Sequence, residues 1–218
     1  MKLNIKIPTS LKEVTLRQYK RYLKIQESET NTRFLNAKMI EIFCGIELEQ
    51  VMLLKVSDAQ DISNILTELF EGKPSLVTKF KINKVEYGFQ PQLDDISLGE
   101  YIDLDTFIGD WENMEKAMNV LYRPVLVKLK DKYSIEEYRV ETSEALLDMP
   151  MDAVLSSIFF FWNLGLDLST TMMNYLETET EGTEALTQFL NSQANGDGIN
   201  HFTDLLKETL RDLKISLN

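Results

Sequence analysis

Apolar and polar positions alternate at two different periods along this chain, and the period changes mark its elements. Leu3, Ile5 and Ile7 alternate with Lys2, Asn4 and Lys6 up to Pro8, the pattern of a short half-buried strand. Thr15 can cap a helix over residues 16–26, where Leu16, Tyr19, Leu23 and Ile25 recur at helical spacing and Arg17, Lys20, Arg21 and Lys24 make a basic face. Asn31 or Thr32 can cap a second helix. Its stripe is Phe34, Leu35, Met39, Ile42 and Phe43, and Gly45 ends it. A short helix is expected over residues 47–54. Ser57 reads as the N-cap of a further helix with Ile62, Ile65, Leu66, Leu69 and Phe70 on its core face and Gly72 as its stop.

Between residues 77 and 89 the period shortens to two. Phe80 and Ile82, then Val85, Tyr87 and Phe89, flank Asn83 and Lys84, which predicts a hairpin. A lone hairpin is marginal, so it needs helices or a third strand, for which the N-terminal strand is the expected source. Ser97 and Glu100 form a capping box before Tyr101, Ile102, Leu104, Phe107 and Ile108, with Gly109 as a stop. A helix opening at Asp110 or Trp111 carries Met114, Met118, Leu121 and Tyr122, and Pro124 is expected to end it. Residues 125–133 are apolar and basic, and 133–141 suggest no element.

Pro150 suits the first turn of a helix carrying Met151, Val154, Leu155, Ile158, Phe159 and Trp162 to a stop at Gly165. Phe160 and Phe161 complete an apolar circumference, so this helix is either central to the fold or covered by another chain. A Thr/Met-rich helix over residues 169–176, an acidic connector over 177–182 and two last helices follow, one bearing Leu186, Phe189 and Leu190, the other Phe202, Leu205, Leu206, Leu210 and Leu213. The pattern therefore predicts a mainly α, α+β chain with a small antiparallel element around residues 77–89. Its organisation is a core helical domain over residues 1–166, then an acidic helical segment over 167–218 that docks loosely or offers partner surface.

Size supports a core. At 218 residues and 44% hydrophobic content the chain can bury roughly 70% of its unfolded surface. Net charge is −12, unevenly distributed: ten basic against six acidic residues in 1–55, nine against fourteen in 56–133, and four against fifteen in 134–218. That balance argues against nucleic-acid binding, which rests on clustered Lys and Arg, and leaves the basic N-terminal helix as a counter-surface for the acidic end. The apolar run over residues 153–166 falls short of the ~20 residues a membrane span needs. No leader-like segment opens the chain, so a reducing cytoplasm is expected.

Candidate chemistry is sparse. Cys44 lacks a second cysteine or a nearby histidine and reads as a small buried side chain. His201 has no metal-binding companion at helical spacing. The acidic group Asp94, Asp95, Glu100, Asp103, Asp105 and Asp110 fails the calcium-loop pattern, since a loop counted from Asp103 places Phe107 fifth and Ile108 sixth. No glycine-rich phosphate loop is present. No catalytic residue, metal or cofactor is assigned, and the expectation is a protein that is not an enzyme. Large aromatics dominate interface energetics, so Trp111, Tyr122, Phe160, Phe161 and Trp162 are the candidates for core or for partner surface.

The run LDDISLGEYIDLDTFIGDWENMEKAMNVLYRPV over residues 93–125 resembles a segment of small acidic proteins of tailed bacteriophages. So do IPTSLKEVTLRQYKRYLKI near the start, MIEIFCGI, and MPMDAVLSSIFFFWNLG, and together the resemblance covers most of residues 5–166. It implies a non-enzymatic role through protein–protein contacts in phage assembly, first as a tail-assembly chaperone for a tape-measure chain, alternatively as a virion component of neck, connector, tail or capsid. A host-directed enzyme or inhibitor is a third class. Implied partners are other phage proteins or a second copy, in the host cytoplasm during assembly or in the virion.

Overall fold

The computed structural model describes residues 5–130, 132–141 and 143–178, with side chains placed except at Asp94 and from Gly165 onward. Four helices come first: α1 (Leu16–Ser28), α2 (Thr32–Cys44), the single turn α3 (Leu48–Val51) and α4 (Val56–Glu71). A hairpin of β1 (Lys79–Ile82) and β2 (Val85–Phe89) leads to α5 (Leu98–Phe107) and α6 (Met114–Leu121). The chain then passes directly into β3 (Tyr122–Leu129) and β4 (Lys132–Ile135) and closes with α7 (Met151–Thr178). The strands form one antiparallel sheet in chain order. An α+β fold with a small antiparallel sheet is thus what the hydrophobic pattern predicted.

Local chemistry explains most helix ends. The Thr15 hydroxyl accepts from the Gln18 N–H while Gln18 Oε1 accepts from the Thr15 N–H, satisfying donors that a first turn leaves bare. Asn31 Oδ1 accepts from the N–H groups of Arg33 and Phe34. Gly45 ends α2 in the left-handed region at φ 65°, where a side chain would cost energy. Asn83 and Lys84 both take positive φ, the two-residue geometry that matches strand twist in a tight hairpin.

Several expectations give way to longer-range structure. Ile5 and Ile7 pack against the core outside any strand, and Leu3 lies outside the described residues. The third strand comes instead from β3, because Pro124 does not end a helix: α6 already stops at Leu121, and Pro124 sits in the ladder opposite Tyr87. The helix expected from Asp110 or Trp111 starts at Met114, since Asp110 folds a turn onto the N–H of Glu112 and the amide of Asn113. Ser57 does not cap α4, which begins one residue earlier, at Val56. Gly165 does not stop α7. The helix continues to Thr178, absorbs the separate helix expected over residues 169–176, and carries the expected 166/167 boundary inside it. The last two expected helices, the connector and His201 lie outside the described residues.

The core is built on the first turns of α7. Met151, Ala153, Val154, Leu155, Ile158, Phe159 and Trp162 are buried with Val14, Leu16, Met114, Met118 and Leu121. Burying each large side chain stabilises by roughly 1.5–3 kcal/mol. The helix entry is tied to the N-terminal helices by a two-bond bridge, Leu16 N–H to Met149 O at 3.0 Å and Met151 N–H to Val14 O at 2.9 Å. Within α7 the buried hydroxyls are satisfied: Ser157 Oγ donates to Val154 O, and Ser156 Oγ accepts from the Val77 N–H at 3.0 Å.

Candidate functional site

The two faces of β3 meet different partners, and this positions the surface of interest. Side chains alternate across a strand, so Tyr122 and Arg123 point to opposite sides of the sheet. Tyr122 enters the core between Phe80 and Phe89, at centroid distances of 5.1 and 5.3 Å, and its hydroxyl donates to Val77 O at 2.7 Å. Burial pushes its ionisation far above the usual tyrosine range. Arg123 faces α5. Its Nη2 donates to Glu100 Oε1 at 2.8 Å in a pair that is almost wholly buried, and its guanidinium lies 5.9 Å from the Tyr138 ring. Glu100 Oε2 accepts from the Ser97 N–H and hydroxyl, each at 2.8 Å, and the Tyr138 hydroxyl donates to Asp103. The carboxylates singled out in the sequence are thus partly structural, with Glu100 and Asp103 locking the inner face of α5 to β3 and to the chain after β4.

The outer face of α5 is different. Leu98, Tyr101 and Ile102, spaced three and four apart, are 74, 48 and 52% exposed on one side of the helix. Asp95 and Asp105 lie beside them in the sequence, and residues 93–112 carry seven carboxylates and no basic side chain.

The distal half of β3 is the second such surface. β2 pairs with β3 only at Tyr122, Arg123 and Pro124; from Val125 onward β3 pairs with β4 alone, through an irregular register between Val125 and Val127. Leu126, Val127 and Leu129 are 62, 58 and 74% exposed on this two-stranded arm. Lys128, Lys130 and Lys132 line it, Lys128 paired with Glu86. The arm is anchored at its base by Tyr133, whose ring lies across Gly88 and whose hydroxyl donates to Phe89 O at 2.6 Å. A Cβ at Gly88 would stand 2.4 Å from that ring, so any larger residue forces the ring to shift.

The five aromatic candidates do not form one surface. Tyr122 and Trp162 are buried in the core. Trp111 is half-buried, its ring 4.8 Å from Tyr19 in an aromatic cluster that includes Phe70 and Phe43. Phe160 and Phe161 are half-buried against the core, Phe160 edge-on to Phe89 at 5.7 Å. Phe159, Trp162 and Asn163 line a hollow of about 270 Å³ with Lys73, Pro74 and Ser75, just under the lower end of the roughly 300–1,000 Å³ of ordinary ligand pockets.

Sequence reasoning missed the six exposed apolar residues of α5 and the arm. One signal was readable: α5 carries apolar residues on both sides, more than a single core contact uses. Cys44 is half-buried, and burial pushes its thiol up to about 11, so it is protonated at neutral pH. Among the described residues no three His, Cys, Asp or Glu side chains gather closely enough to hold a metal, and no helix is long and apolar enough to cross a membrane. Compared with protein-family models, curated proteins and solved structures, the chain matches none.

Proposed function

We propose that this chain is a non-enzymatic bacteriophage assembly protein that acts through protein–protein contacts, foremost as a tail-assembly chaperone. The observation that carries the reading is the exposure of six large apolar side chains, Leu98, Tyr101, Ile102, Leu126, Val127 and Leu129, on well-formed elements. Exposed apolar surface of this kind suits a partner of similar character. The resemblance of residues 5–166 to small acidic phage proteins supplies the setting: the host cytoplasm during assembly, with tape-measure or other tail and neck proteins as partners, and neither nucleic acid nor membrane among them. The second reading, a retained virion component, is favoured by the arm, because a strand that leaves its sheet suits a lasting contact in a ring or shell.

The test is mass spectrometry in two places. A chaperone co-purifies with the tape-measure protein from infected cells and is missing from purified virions, whereas a virion component is present in them at many copies per particle. Recovery in neither overturns both readings.

A further inference from the structure

We infer that the arm of one copy of this chain seats on the outer face of α5 of a second copy. The two surfaces are complementary in both respects that decide such contacts. Each carries three exposed large apolar side chains, Leu126, Val127 and Leu129 on the arm and Leu98, Tyr101 and Ile102 on the helix. Their charges are opposite: the arm carries Lys128, which pairs with Glu86, and Lys130 and Lys132 against Asp131, while residues 93–112 hold Asp95 and Asp105 beside the helix face and no basic side chain. Opposite potentials steer encounter and fix register, and apolar burial holds the contact.

The arm's own chemistry selects a helix face over another strand. Lysines along an exposed edge oppose strand-to-strand pairing by like-charge repulsion, and an identical arm would bring its lysines against them. In α5 the inner face is already taken by the Arg123–Glu100 pair and by Leu104, which leaves the Leu98–Ile102 side turned outward. A contact between two different patches of the same chain is heterologous, and it generates a closed pair, a ring or an open chain according to its geometry. This inference stands apart from the phage reading, since self-association follows from the two surfaces whatever the chain assembles.

Sedimentation velocity of the full chain over a dilution series tests it. The wild type gives a mass above 25.2 kDa that falls on dilution and with added salt. Leu126→Ser with Leu129→Ser, and separately Leu98→Ser with Ile102→Ser, each weaken association, by roughly ten- to a hundredfold for every leucine lost from a buried contact, while the melting temperature is kept. Mixing the two variants restores one intact arm and one intact face, so a one-to-one complex forms where neither variant alone associates. A wild type that is monomeric throughout the series, variants that associate as the wild type does, or a mixture that stays monomeric overturns the inference.

Discussion

The two ends of β3 share a strand and little else. At its start Tyr122 and Arg123 are buried, and further along the same strand Leu126 and Leu129 stand in solvent. Hydrophobicity does not separate them, since the buried end holds an arginine and the exposed end two leucines. Covering does: the first three residues pair with β2 and lie between the core and α5, whereas the rest pairs with β4 alone. A charged side chain is buried where a carboxylate waits for it, and leucines are exposed where the fold has run out of neighbours.

The sharpest way to break this contrast is at the buried end. Arg123→Ala leaves Glu100 as an unpaired charge beneath α5, and the expected loss is about 3–5 kcal/mol in denaturant unfolding. A loss near zero would mean that water reaches the pair, and the distinction between the two ends of the strand would fail. Next comes the junction between them. Gly88→Ala drives a methyl group into the Tyr133 ring that anchors the arm, with an expected cost of about 1–3 kcal/mol. Combined with Tyr133→Ala the cost should shrink, and a double-mutant cycle in which the two effects simply add would show that the ring does not lie on Gly88.

Much of the fold was legible because its signals are local. Thr15, Asn31, Gly45 and the Ser97–Glu100 box fix helix ends through bonds spanning two to five residues, and the period-two run around Asn83 and Lys84 marks its own turn. What escaped depends on distant partners. Pro124 looks like a helix terminator to its neighbours, and only pairing with Tyr87 makes it a strand residue. Gly165 looks like a stop, yet one glycine inside a helix costs only about 1 kcal/mol, which the flanking helix formers can override. The candidate surface was harder still: a strong apolar side chain such as Tyr122 or Leu126 reads identically in sequence whether it ends in the core or outside it.

Within the core, Tyr122→Phe keeps the ring between Phe80 and Phe89 and removes only the hydroxyl that donates to Val77 O. The carbonyl is left without that bond, and the expected loss is about 1–2 kcal/mol by thermal or chemical unfolding. The half-exposed hydroxyl of Tyr133 offers the comparison. Tyr133→Phe should cost less, because water can replace the lost donor at Phe89 O. Equal losses would place the two hydroxyls in the same environment, against their difference in burial.

The smallest effect on stability belongs to the exposed end, and there the absence of a change carries the information. Leu126→Ser with Leu129→Ser removes apolar surface that the folded chain leaves largely in water, so unfolding recovers almost nothing from it. The expected change is within about 0.5 kcal/mol, the range of substitutions that touch neither a core nor a cap. It is measured in dilute solution, where any contact between copies has dissociated and mass action adds nothing to stability. A loss of several kcal/mol under those conditions would mean that the arm folds back onto its own chain. The variant separates the two halves of β3 cleanly, because one half holds the molecule together and the other leaves it unchanged while altering what the molecule can touch.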